Sequence, residues 1–222
     1  MSKNILVIAA HSDDEAFGCG ATIALHVARG DKVSVVFMTN GVGSRNAGQD
    51  TLDRRNMAAK SACEIVGATI VDTFDYPDNK MDSIALLDIV QSLEFVIQKV
   101  QPEIIYTHHI GDLNIDHQVT HKAVVTACRP QPGFCVKEIY AFEVLSSSEW
   151  QSPGVGTFVP RVFIDVTPFI ELKCKMLNIY KEELREPPHT RSIENIRNLS
   201  ALRGNAVGVD YAEAFDLIRL IK

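Results

Sequence analysis

A continuous apolar run of strand length, Asn4 to Ala10 (NILVIAA), stops abruptly at a histidine and three acids in His11-Ser12-Asp13-Asp14-Glu15. An unbroken run of this kind suits a parallel strand buried on both faces, because strict alternation arises only when one face meets water. The pattern then recurs. Ala16 to Arg29 has the length and residue types of a helix, with Gly30 as its stop, and Lys32 to Thr39 is the next strand. After a Gly-rich loop (NGVGSRNAG) a helix is expected from about Thr51 to Val66, then a strand from Thr69 to Phe74, a helix from about Ser83 to Lys99 and a strand from Glu103 to Thr107. Strands separated by helices imply right-handed βαβ crossovers. The expected class is therefore α/β: a Rossmann-like, doubly wound, mostly parallel sheet flanked by helices.

In the last third, Lys137 to Val144 and Arg161 to Val166 read as strands, Phe169 to Leu184 reads as a helix, and the final stretch fits either element. Prolines 130, 132, 153, 187 and 188 punctuate loops and mark no boundary, so residues 1–222 are expected to form a single domain. A formal charge of −6 disfavours a nucleic-acid groove, which depends on clustered Lys and Arg, and makes a small molecule the expected partner. Five cysteines (Cys19, Cys63, Cys128, Cys135, Cys174), odd in number and without a C-x-x-C pair, argue against a disulfide framework and a thiolate zinc site. With no signal-peptide pattern and no segment long enough to span a bilayer, the expected location is the cytoplasm. A homo-oligomer is left open.

In open α/β sheets, ligands bind beyond the carboxyl ends of the strands, and the residues there are unusually polar in this chain. His11, Asp13, Asp14 and Glu15 crowd one strand end. Neighbouring carboxylates repel, and a divalent cation is the simplest neutraliser. A turn favoured by the helix dipole would explain the acids but not a histidine at the strand end. The Glu103–Thr107 strand is followed by a second cluster, His108, His109, Asp112, Asn114, Asp116, His117 and His121, which can supply a further ligand. No H-E-x-x-H helix is present. His26, His108 and His121 read as satisfied core or surface histidines.

Ala10 to Glu15, together with Gly111-Asp112-Leu113-Asn114-Ile115-Asp116-His117, resembles the paired signature of the PIG-L/LmbE-like N-deacetylase family. That family includes deacetylases of N-acetylglucosaminyl lipids and thiol conjugates. The likeness extends to Pro77-Asp78, to Pro188-His189-Thr190-Arg191-Ser192 and to Tyr211-Ala212-Glu213-Ala214-Phe215, and so spans nearly the whole chain. It implies that His11, Asp14 and His117 bind zinc, that Asp13 is the general base, and that Asp116 orients a neighbouring histidine or loop. Arg55 and Asp78 fall where the family places sugar-binding groups. Ser12 stands where the family usually has proline, a change expected to alter only turn stiffness. Asn114 stands where some members carry a histidine that stabilises the oxyanion; its amide can donate a hydrogen bond but no proton, so the expected donor is His189 or Asn114, with His109 in reserve where a histidine is needed.

The implied reaction is metal-dependent hydrolysis of the N-acyl, foremost N-acetyl, group of an amino-sugar compound, giving a carboxylate and a free amine. The ligand set would also accept iron or cobalt. Alternatives on the same scaffold are an amidase for larger acyl groups and a deformylase. A non-catalytic nucleotide-binding module would rest on Gly18-Cys19-Gly20, although Ile23 occupies the third fingerprint position. No G-x-S-x-G elbow supports a serine hydrolase. Residues 41–50, 131–134 and 150–158 are expected to shape specificity, with Trp150 and Tyr180 as candidate sugar-stacking aromatics.

Overall fold

The computed structural model describes residues 2–41, 49–134 and 136–222, with side chains omitted at 49 and 50. Most of the Gly-rich loop, including Gly43-Ser44, and Cys135 lie outside the described residues. The elements run β1 (Asn4–Ala9), α1 (Asp14–Ala28), β2 (Lys32–Thr39), α2 (Gln49–Val66), β3 (Thr69–Tyr76), α3 (Leu86–Val100), β4 (Ile104–His108), α4 (Ile115–Ala127), β5 (Glu138–Phe142), β6 (Val162–Asp165), α5 (Ile170–Ile179), α6 (Ile193–Asn205) and β7 (Ala212–Leu220). They build a seven-stranded sheet of order β3-β2-β1-β4-β5-β7-β6. Pairings from β3 through β5 are parallel, and β7 runs antiparallel to both β5 and β6. The mostly parallel α/β reading therefore holds. The final stretch divides into α6 and β7, and α5 ends at Ile179, short of the expected Leu184.

The apolar run of β1 explains the layering. Ile5, Val7 and Ala9 face one core with residues of α1, α2, α5 and α6, while Leu6 and Ile8 face the other with residues of α3 and α4. All five are fully buried, as a central strand sandwiched between helices requires. β1 has β2 on one side and β4 on the other, so chain order reverses between β1 and β4. Their carboxyl ends frame the crevice where such sheets bind ligands.

α1 is broken at Cys19 (φ −148°, ψ 24°). Two groups from the C-terminal third compensate the break. Glu213 accepts hydrogen bonds from Ala21 N (3.1 Å) and Thr22 N (2.7 Å), satisfying the start of the second half, while Lys173 Nζ donates to Phe17 O (2.7 Å) at the end of the first. Lys173 and Glu213 also pair at 2.6 Å, and both are buried. Gly18 and Gly20 are buried inside this helix, where a Cβ at Gly18 would meet Phe142 at 2.3 Å; they form no phosphate loop. Because removing one partner strands the other charge, Glu213→Ala should lower stability by about 3–5 kcal/mol. Urea unfolding checks this, and a loss under about 1 kcal/mol would show that the pair does not brace α1.

Candidate functional site

The end of β1 and the start of α1 deliver His11, Asp13 and Asp14, and the loop after β4 and the start of α4 deliver Asp112, Asn114, Asp116 and His117. Asp14 Oδ2 lies 3.1 Å from His11 Nδ1 and 3.3 Å from His117 Nε2, and those two nitrogens are 3.3 Å apart. All three residues are buried. The opposite nitrogen of each ring faces carboxylate: His11 Nε2 is 3.1 Å from Asp116 Oδ2 and 3.2 Å from Asp78 Oδ1, and His117 Nδ1 is 3.1 Å from Asp112 Oδ1. In the tautomer that puts each N–H toward those acids, both rings direct a lone pair into the triangle they share with Asp14, and three buried acceptors so arranged would call for a cation between them.

Tetrahedral zinc with bonds of about 2.0–2.1 Å sets its ligand atoms about 3.3 Å apart, and the near-equilateral triangle of His11, Asp14 and His117 matches that spacing. His11, Asp78 and Asp116, and His108, Asp112 and His117, also converge. Each borrows a histidine from the first triad, on its opposite nitrogen in the case of His11, and these acids suit the role of carboxylates behind metal-ligating histidines. The surrounding acids favour positive charge at this place. Burial works against charge on His117, yet Asp14 and Asp112 raise it to about 9; His11 is likewise raised, against burial, by Asp116, Asp14 and Asp78. Asp14, also opposed by burial, is held well below the usual carboxylate range by His117, His108 and His11.

Asp13 turns the other way. Its Oδ2 takes a 2.9 Å bond from Arg191 Nη1, and Arg55 lies 3.8 Å from Oδ1. Burial pushes its carboxyl up while Arg191 and Arg55 restrain the rise. Arg55 is tied to Glu183 Oε1 (2.7 Å), to Ser12 Oγ (3.0 Å) and to Ser12 O (3.0 Å). Ser12 thus does more than alter turn stiffness, since its hydroxyl helps hold an arginine. His11, Asp13, Arg55, Asp78, Asn114, His117, Trp150, Arg185, His189 and Arg191 are among the residues lining one open cleft of about 280 Å³.

The two donor candidates differ. Asn114 caps α4, accepting from Asp116 N (2.8 Å) while its amide donates to Asn79 Oδ1 (3.0 Å). His189 Nδ1 accepts from Arg191 N (3.0 Å), which puts the ring proton on Nε2. Asp116 holds the loop after β3, accepting from Asn79 N (2.6 Å) and Met81 N (3.0 Å). Trp150 is 51% exposed with its ring against His189. Tyr180 is buried and donates to Glu15 Oε1 (2.7 Å), so it offers no sugar a stacking face. Burial pushes the Glu15 carboxyl up to about 8.

His26 is satisfied by Asp31 (2.7 Å) and Tyr106 (2.9 Å), and His121 by His108 O (2.8 Å). His108 is buried, accepts from Ala10 N (2.8 Å) and stacks on His117. His109, the reserve donor, is buried and does not line the cleft. The roles of Asp112, Glu183 and Arg191 went unread in the sequence. Asp112 carried a signal there, as the acid five residues before His117, and Arg191 carried one as part of the Pro188–Ser192 segment of the family likeness; Glu183 carried none. Asp112 is anchored by Ser147 Oγ, by Ser148 Oγ (2.8 Å) and by Asn114 N (3.0 Å), and despite burial it is held down at about 2, chiefly by His117. If the triangle holds a divalent metal, Asp112→Ala should weaken its affinity about 10–100-fold, read by chelator competition; unchanged affinity would show that Asp112 does not orient His117.

Comparison with known proteins gives four findings. The family model described as PIG-L, GlcNAc-PI de-N-acetylase, matches residues 6–128. The uncharacterized deacetylase YaiS of Escherichia coli K12 is 32% identical over 169 residues, 74% of this chain and 82% of that protein. The 4-oxalmesaconate hydratase of Pseudomonas putida is 32% identical over 184 residues, 74% of this chain and 68% of that protein. Among solved structures, the N,N'-diacetylchitobiose deacetylase of Pyrococcus horikoshii superposes with a TM-score of 0.80 at 19% identity, covering 98% of this chain and 84% of its own, which is a likeness of fold.

Proposed function

The chain belongs to the PIG-L family, and from that premise we propose that it hydrolyses the N-acyl, foremost N-acetyl, group of an amino-sugar compound. The observation that carries this reading is the triangle of His11 Nδ1, Asp14 Oδ2 and His117 Nε2 beside a carboxylate, Asp13, that faces the cleft without joining it. Zinc is the metal assigned to the triangle, and when bound it supplies Lewis acidity to the amide carbonyl and to water.

Asp13 takes the proton of the attacking water, and Arg191 keeps the carboxylate aimed and favours its charged form. His189 Nε2–H donates to the oxygen on which negative charge develops, while Asn114 keeps to its capping work. The leaving amine is protonated by Asp13 on the return step. Arg55 and Asp78 line the wall where sugar hydroxyls would lie, each already anchored, Arg55 to Ser12 and Glu183 and Asp78 beside His11. Among the described residues no helix is long and apolar enough to cross a membrane.

A second reading has support of its own. Three arginines, Arg55, Arg185 and Arg191, line the cleft, and such a wall also suits a small polycarboxylate to which water is added across a double bond, as the name of the Pseudomonas putida relative describes for that protein.

An amine-release assay over N-acylated amino sugars, run beside a hydration assay on unsaturated dicarboxylates, separates the two. Amine release with zinc present and no hydration supports the deacylase; hydration alone sinks it. Within the deacylase reading, Asp14→Ala should lose zinc, whereas Asp13→Ala should keep zinc and lose about 10²–10⁴-fold in kcat. Near wild-type turnover by metal-loaded Asp13→Ala would remove Asp13 as base. His189→Ala should cost about 10²–10³-fold in kcat, and Asn114→Ala about 1 kcal/mol of stability with little change in kcat; the reverse pattern would make Asn114 the donor.

A further inference from the structure

Asp13 and Asp14 are neighbours in the chain, yet one carboxylate enters the cleft and the other closes the histidine triangle. The backbone makes this divergence. Asp13 sits at φ 133°, ψ −29°, a region that residues bearing a Cβ rarely adopt and that persists only where the surroundings enforce it. On the carbonyl side, Asp13 O accepts from Ala16 N and Phe17 N, both at 3.0 Å, as α1 begins. On the amide side, Asp13 N donates to Glu15 Oε2 at 3.0 Å.

Glu15 is the one acid of the His11–Glu15 motif with neither a place in the ligand triangles nor access to the cleft. It is fully buried, and its other oxygen, Oε1, accepts from Tyr180 OH at 2.7 Å. Tyr180 stands at the C-terminal end of α5, 165 residues along the chain, and is 3% exposed, so its hydroxyl serves no surface. A carboxyl with two short single-acceptor contacts, one to the strained amide and one to a distant rigid ring, is fixed in place. The contact to Asp13 N does not depend on its charge, since a carboxyl oxygen accepts in either protonation state.

We propose that Tyr180 is a positioning residue: through Glu15 it pins the Asp13 backbone in the left-handed region and so holds the Asp13 carboxylate apart from Asp14 and aimed into the cleft. The proposal rests on Asp13 being the base. It adds that α5, which contributes nothing else to the reacting centre, sets where that base points. A small misplacement of a base carries a large kinetic cost with little cost in binding.

The test uses Tyr180→Phe, which removes one oxygen and leaves the ring, together with Glu15→Gln, whose amide can still accept from Asp13 N and donate to Tyr180. Hydrogen exchange at the Asp13 amide, zinc content, kcat and KM are measured on the full chain. In Tyr180→Phe, Asp13 exchange should accelerate about tenfold or more and kcat should fall about tenfold, with zinc content unchanged and KM within about twofold. Glu15→Gln, which keeps an acceptor for Asp13 N, should accelerate exchange and lower kcat less than Tyr180→Phe does, and the reverse order overturns the proposal. Wild-type kcat in Tyr180→Phe, unchanged Asp13 protection, or a kcat loss that tracks zinc content overturns the proposal. If the wild-type protein releases no amine from any N-acylated sugar, the functional reading fails separately; Asp13 protection in Tyr180→Phe then decides alone, faster exchange supporting the pin and unchanged exchange removing it.

Discussion

Asp14 Oδ2 is the point around which the molecule is arranged. Buried to 1% exposure, it accepts from His11 N at 2.8 Å and faces nitrogens of His11, His117 and His108 at 3.1, 3.3 and 3.5 Å. A charge taken that far from water is tolerated only when compensated on every side, so the neighbouring side chains are committed by it. Asp112, Asp116 and Asp78 follow from His117 and His11, because each of these two rings, with one nitrogen toward Asp14, presents its other nitrogen to an acid. Those acids are in turn anchored by Ser147, Ser148, Asn79 and Met81. The polar centre thus extends through the loops after β3, β4 and β5.

The cleft is completed by chain that lies outside the βαβ repeat. The segment after α5 brings Glu183, Arg185, His189 and Arg191 to the wall opposite the triangle. Arg191 reaches Asp13 while donating to Leu145 O (3.2 Å) and Ser146 Oγ (2.7 Å), joining the loop after β5 to the end of β1. Further back, Lys173 and Glu213 bind the two halves of α1 to α5 and β7. The C-terminal third therefore braces and encloses a centre whose histidine–carboxylate triangle comes from the first 117 residues.

Most of the sheet was legible because β1, β2 and β4 are short apolar runs bounded by glycine or polar clusters, a signal that survives without tertiary context. β3 was legible too, although its edge position leaves it half-exposed and its register with β2 is irregular. α6 was not, because Ile193–Asn205 carries its apolar residues thinly and buries only Ile196, Ser200 and Gly204. Tyr180 read as a candidate for sugar stacking beside the commoner core role, since nothing local marks an aromatic as the partner of a carboxyl 165 residues away.

By itself the sequence determined the strand that ends in His11, the acids that follow it, the second histidine-rich strand end and the crossovers that must place both ends on one edge. These are consequences of residue type and period over a few residues. Only the tertiary structure decided which acid each histidine faces, that Arg191 meets Asp13, that Ser12 holds Arg55 and that Glu15 points away from the ligand triangle toward Tyr180. Those pairings depend on strand order, on where α5 crosses the sheet and on one residue at positive φ. Each is set by packing between distant segments, and packing has no period to read.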